Sequence, residues 1–336
     1  MRRPIPRVAI IAWFEWRRLL VAAFGIALGL GALYLAMRNV SFEEIAAVFR
    51  RLDFRWIAFA TLIYALSLSV RGLRWWILLA QLSPQRHAVV LEATVVGFAA
   101  NYLLPARLGE LFRADYIKRV SGLPRSAAIG SIGVERTIDG LTVVGLLALG
   151  LFALGTGAAA GQRIASSIVV VGVLIFGGLA VFFLAVRYTR SWLAGRENPL
   201  FRYARDFVEG VRSLNRRTAA PIIGLTALIW LMELAVLQAT LSAFGVTLDI
   251  GQLVVLGSSL TLSTIAPTAP GFLGSFQFVG GILMESFGQG RAVGIAVVTS
   301  VQLFCYLPVA LAGVIIGVMR WQKLVAGHLA RRRKKS

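Results

Sequence analysis

Cysteine occurs once in 336 residues, histidine twice, and the 15 acidic side chains are outnumbered by 35 Lys and Arg. The lone Cys305 excludes a disulfide framework, and His87 and His328 lie too far apart to share a metal-site spacing. The phosphate-cradling pattern G-x-x-x-x-G-K-[ST] is missing, which removes any recognisable nucleotide-hydrolysing module. No cofactor is expected, and no nucleophile or metal cluster accompanies the few acids.

What is abundant is apolar: 58% of the residues are hydrophobic and 15% charged, far outside the composition of a soluble globular domain. The chain therefore reads as an all-α integral membrane protein. A hydrocarbon core about 30 Å thick takes roughly 20 apolar residues per helix. Full spans are expected at about Leu19 to Met37, Trp56 to Ala80, Ser126 to Leu154, Ile164 to Val186, Ala219 to Phe244 and Ala292 to Met319. Two further apolar stretches, about Ala88 to Leu104 and Gln252 to Phe287, are interrupted by Pro and Gly. Between the first two spans, "SFEEIAAVFRR" carries the capping-box pair Ser41 and Glu44 and an apolar face, which predicts a helix lying in the interface.

A formal charge of +20 raises the question of nucleic acid, and the placement of the charges answers it. Of the 35 cations, 26 fall in the N-terminal segment, around Arg86, in Pro105 to Arg125, in Arg187 to Arg217 and after Met319. Six fall in the loops of the other side, and Arg71, Arg74 and Arg136 lie inside spans. The positive-inside rule puts the richer set, and both termini, in the cytoplasm of a bacterial-type inner (plasma) membrane. Such a face attracts anionic lipid, not nucleic acid. The first apolar stretch is long enough to span and reads as a signal anchor. The organisation expected is a basic N-terminus (1–18), a first membrane repeat (19–154), an external loop (155–163), a second repeat (164–319, with a basic loop at 187–217) and a basic tail (320–336).

The first interrupted stretch cannot be an ordinary span without exporting Arg107, Arg113, Lys118, Arg119 and Arg125 against the charge rule, and the second starts and ends on the opposite side by the same count. Each reads instead as a re-entrant broken segment, the first dipping in from the cytoplasm and breaking at Pro105, the second entering from outside. Non-helical backbone at membrane depth survives only where protein or a polar cavity covers it. Each half then contains three crossings and one broken segment, and an odd number of crossings inverts the second half. Around the breaks "PARLGE" and "PGFLGS" share P-x-x-L-G. Inverted repeats with broken helices meeting at the midplane are an architecture of secondary transporters.

Charges within spans are costly unless paired or wet, and they nominate the working residues. Arg71 and Arg74 share a helix face. Arg107, Glu110 and Arg113 line one side of the returning helix behind Asn101. "GVERTIDG" sets Glu135, Arg136 and Asp139 deep in a span, where attraction at low dielectric favours pairing the acids with Arg71, Arg74 or Arg107. Glu233 is a second intramembrane acid, with Gln238 and Gln302 as milder cases. At the second break Ser263, Thr264 and Pro267 precede "PGFLGSFQ", in which Pro270, Gly271, Gly274, Ser275 and Gln277 surround backbone amides able to hold an anionic headgroup. The arginines suit bidentate recognition of phosphate.

"RGLRWW", "NYLLPARLGELFR", "SIGVERTIDG" and "APTAPGFLGSFQ" resemble, in order and spacing, the landmark segments of the lysylphosphatidylglycerol synthase transmembrane, or flippase-like, family. The resemblance runs from about Leu19 to Met319. It implies a membrane-embedded domain associated with moving lipids between leaflets, in stand-alone relatives tied to hopanoid, glycolipid or other polar-lipid pathways. The chain closes on "RRRKKS", so the resemblance implies a member without the aminoacyl-transferase domain and its lysyl transfer. The function expected is translocation of a polar or anionic lipid; the alternative is a membrane subunit or transferase of a lipid pathway, with Glu135 and Asp139 as acid and base. Expected partners are membrane lipids, with lipid-biosynthesis enzymes and a second copy of the chain left open.

Overall fold

The computed structural model describes residues 23–38, 40–104, 108–155, 159–193, 198–265 and 269–333. They form helices without strands. The order is α1 (Ala23–Met37), α2 (Phe42–Phe49), α3 (Phe54–Ala80), α4 (His87–Leu103), α5 (Gly109–Ser121), α6 (Arg125–Leu154) and α7 (Ala159–Arg187). Then follow α8 (Arg190–Leu193), α9 (Pro199–Arg212), α10 (Arg216–Ala243), α11 (Ile250–Ser263), α12 (Ser275–Ser286), α13 (Arg291–Ser300) and α14 (Leu307–Arg333). A π-helical stretch, Val301–Tyr306, makes α13 and α14 continuous.

Among the described residues four helices are long and apolar enough to cross a membrane: α3, α6, α10 and the composite Arg291–Arg320. The bent pair α1 and α2 would make a fifth. These match four of the six expected spans; the other two, Leu19 to Met37 and Ile164 to Val186, overlap α1 and α7, and residues 1–22 lie outside the described set. Leu62, Leu66, Ile223, Leu231, Leu311 and Ile315 stand exposed along the long helices, as lipid-facing side chains do. The anticipated capping box of α2 is present, Ser41 Oγ accepting from Glu44 N at 3.1 Å and Glu44 Oε2 from Ser41 N at 3.3 Å.

The two interrupted stretches form helices shorter than the four long ones. At 1.5 Å per residue α4 is about 26 Å long and α11 about 21 Å, against about 30 Å of hydrocarbon. Each is followed by a second helix, α5 after α4 and α12 after α11, that packs back against it. The α4–α5 approach is close because two glycines face each other. A Cβ on Gly109 would sit 2.0 Å from the Gly97 carbonyl oxygen. Asn101, near the end of α4, closes the turn by accepting from Gly109 N at 2.8 Å.

Packing is crosswise between the halves of the chain. Helix α3 lies along α10, α4 against α14, and α11 against α6. Glu92 on α4 helps fix this arrangement by accepting from Arg320 of α14 and from Tyr116 of α5, each at 2.6 Å. The two broken segments therefore approach each other in the interior. The carbonyl oxygen of Tyr102, at the end of α4, comes within 3.4 Å of where Gly271 would carry a Cβ.

Candidate functional site

Between the breaks lies a cavity of about 330 Å³. Helices α3, α4, α6, α10 and α11 and the π-helical stretch all contribute to its wall. Arg71, Asn101, Glu110, Arg136, Asp139, Glu233 and Thr264, all nominated by the sequence, line it. Arg74, Arg113 and Glu135 are buried behind it. Arg107 and Pro267 lie outside the described residues.

The charges are arranged as linked pairs. Arg71 Nη2 donates to Glu233 Oε1 at 2.8 Å, and Ser67 Oγ donates to the same oxygen at 3.0 Å. Arg74, 1% exposed, forks onto Asp139 at 2.6 and 2.9 Å while its Nε reaches Glu135 at 3.3 Å. Thr226 Oγ1 accepts a further bond from Arg74 at 2.8 Å. Arg113 Nη2 stands 2.9 Å from Glu135 Oε2, out of line for a hydrogen bond, and its guanidinium lies 3.7 Å over the Trp75 ring. Arg136, the more exposed neighbour, closes the chain at 3.3 Å from Asp139. Burying so many charges is tolerable only because each described arginine of the site faces a carboxylate.

The sequence left Arg71, Arg74 and Arg107 open as partners of Glu135 and Asp139, and Arg74 is the described arginine that reaches both acids. Spacing did not anticipate that Arg71 would reach across to Glu233 or that Glu135 would take Arg113. Glu110 faces the cavity beside Asn101, whose Nδ2 lies 3.5 Å from Glu110 Oε1.

The other wall is aromatic and went unmarked in the sequence. Tyr102 stacks on Tyr306 with ring centroids 4.5 Å apart, and the hydroxyls of Tyr64 and Tyr102 are hydrogen-bonded. Phe272 packs on both Tyr102 and Phe276. Gly271 and Phe272 hold φ of 66° and 62°. For Phe272 that is an uncommon backbone state that the surrounding structure must enforce, and it sits on the cavity.

Of the residues nominated at the second break, Thr264 borders the cavity and the other described ones shape the turn. Pro270 starts the short helical turn Pro270–Phe272. Ser263 Oγ and Thr264 Oγ1 donate back to their own helix, to Leu260 O and Thr261 O. Ser275 Oγ donates to Phe272 O. Gly274 has φ of 89° and packs against α1, where an added Cβ would meet the Gly29 oxygen at 1.8 Å. The Gly274 amide is taken by Gln277 Oε1 at 2.8 Å. Gln277 Nε2 then donates to Gln302 Oε1 at 2.6 Å, and Gln302 Nε2 to Gly271 O at 2.8 Å. The π-helical stretch thus touches both breaks, the first through Tyr306 and the second through Gln302.

This geometry can be set beside known proteins. The family model described as lysylphosphatidylglycerol synthase TM region matches residues 22–313. The chain belongs to this family. As a member of the lysylphosphatidylglycerol synthase transmembrane family it is a multi-pass membrane protein of a group associated with membrane lipids. Over 128 residues it is also 30% identical to Glycosyltransferase AglD of Haloferax volcanii, a match covering 38% of this chain and 20% of that protein. The chain thus spans about a fifth of that relative's length. No solved structure matches the chain.

Proposed function

We propose that this family member translocates a lipid with a polar or anionic headgroup between the leaflets of a bacterial-type inner membrane, both termini facing the cytoplasm. The observation that carries the reading is the cavity itself, walled by two short broken segments and lined by carboxylates and arginines at one side and stacked aromatic rings at the other. A headgroup crossing hydrocarbon loses its water, and paired side chains of both signs replace it with fixed polar partners. The two halves act as an inverted repeat, and exposure of the cavity alternates as one half moves against the other.

The test is leaflet exchange of labelled lipids in liposomes holding the purified chain, comparing the native protein with Glu110→Gln and Arg136→Gln. Both residues line the cavity without being at the centre of the buried pairs. Exchange that falls in these variants while their unfolding temperatures match the native one supports the reading. Exchange equal to protein-free liposomes across a panel of headgroups would overturn it.

The similarity to Glycosyltransferase AglD favours a second reading, a membrane-embedded subunit or transferase of a glycolipid or other lipid pathway. Chemical change of a lipid by the purified protein, without exchange, would support that reading instead.

A further inference from the structure

Next to the charged cavity lies a smaller chamber of about 60 Å³. Trp230, Glu233, Thr261, Phe276 and Tyr306 border both, so the small chamber is an annex of the large one. Its wall is otherwise mostly apolar, with Leu146, Leu234, Leu237, Leu260, Val298 and Val301 among its residues. Two polar atoms at this annex have no hydrogen-bond partner although they are buried: Trp230 Nε1 and Ser258 Oγ. Trp230 is 7% exposed and Ser258 1%. Buried donors are ordinarily satisfied, so two such groups on residues that line one chamber ask for an acceptor there.

The chemistry of the two groups sets the kind of partner. An indole N–H donates only, and a serine hydroxyl can donate as well, so their common complement is an acceptor. The apolar wall asks that this acceptor be carried on a hydrocarbon chain and be uncharged. We infer, resting on the reading of the large cavity as a headgroup site, that the annex holds the ester carbonyl by which an acyl chain joins a glycerolipid, with Trp230 and Ser258 as its donors. Headgroup and linkage would then be read separately, the first by the charged cavity and the second by the annex. The lipid class selected is ester-linked diacyl lipid.

The probe is a matched pair, diacyl phosphatidylethanolamine and its dialkyl ether analogue, which shares the headgroup and chains but has no carbonyl. The two compete for the full chain in detergent micelles, and native mass spectrometry counts the bound species. The native protein should prefer the ester lipid by about fivefold to tenfold, the size of one or two neutral hydrogen bonds. Ser258→Ala should reduce that preference toward unity while leaving binding of the ether lipid unchanged, and Trp230→Phe, on the wall shared with the large cavity, should reduce it as well. Equal binding of the two lipids by the native protein, which involves no substitution and so no question of folding, would overturn the inference and leave the annex to water. The test fails separately from that of translocation. Lost ester preference with exchange intact sinks the annex alone, and ester preference without exchange sinks translocation alone.

Discussion

Arg74 on α3 and Asp139 on α6 are joined by a two-pronged ion pair inside the protein, Nη1 to Oδ1 at 2.6 Å and Nη2 to Oδ2 at 2.9 Å. The pair sits directly behind the cavity, and Asp139 also borders it. A planar guanidinium fork fits a carboxylate in this way and a lysine ammonium does not. The contact therefore fixes how α3 and α6 sit relative to each other, and with them Arg71 and Arg136 on the cavity wall.

Removing one member should leave the other charged and buried. Arg74→Ala and Asp139→Ala should each lose about 3–5 kcal/mol of stability. Arg74→Met combined with Asp139→Leu should recover part of that loss, since the apolar pair carries no desolvation cost while Arg136 loses the carboxylate it faces. Thermal unfolding in detergent, followed by tryptophan fluorescence, measures all three. A double variant as unstable as the sum of the singles would contradict this account.

The turn between α4 and α5 depends on an approach that admits no side chain. Gly109→Ala should push its new methyl into the Gly97 carbonyl oxygen and the Asn101 side chain, at 2.0 and 2.5 Å, and lower stability by about 1–3 kcal/mol or more. Gly145→Ala, with nothing within 4 Å of its Cβ, should be neutral or slightly stabilising because alanine is the better helix former. Equal unfolding temperatures for the two variants would show that the helices have room to part.

Gln302 holds the second break in place by donating to Gly271 O and accepting from Gln277. Gln302→Leu leaves the Gly271 carbonyl without its donor, at about 1–3 kcal/mol, while Gln277 Nε2 keeps only its bond to Thr299 Oγ1 at 3.2 Å. The loss should appear locally first. Amide hydrogen exchange at Gly271 to Gly274 should quicken in the variant, while amides in the middle of α3 and α10 keep their native protection. Uniform acceleration across the chain would instead mean that Gln302 supports the whole fold.

Much of this architecture was legible because hydrocarbon punishes exceptions. Glu135 and Asp139 stood out as charges in an apolar run, and Pro105 and Pro270 as breaks where a helix ought to continue. The aromatic wall was not legible, because Tyr102, Phe272 and Tyr306 look alike in sequence whether they face lipid, protein or a cavity. Pairings between distant elements were equally hidden. Arg71 and Glu233 are 162 residues apart, and no local spacing rule connects them. The turn residues Gly274 and Gln277 drew notice for the right break but for a different role: spacing suggested free amides, whereas the Gln277 side chain already caps Gly274.

The balance of charge on the cavity wall leads to a last expectation. Glu233 neutralises Arg71, and the two side chains are 23% and 12% exposed, wet enough for a ligand to sense the sum of their charges. Glu233→Gln keeps the shape and a hydrogen-bond acceptor for Ser67 but leaves Arg71 uncompensated. The cavity then gains one net positive charge where a headgroup would lie. Exchange of an anionic lipid should rise relative to a zwitterionic one of the same chains by about fivefold, the effect of about 1 kcal/mol at a partly solvated site. Arg71→Gln should shift the ratio the opposite way, because Glu233 is then the unbalanced charge. The measurement is the ratio of exchange rates for the two lipids in the same proteoliposomes, which cancels differences in the amount of folded protein. A ratio that stays fixed in both variants would mean that the headgroup does not pass between Arg71 and Glu233.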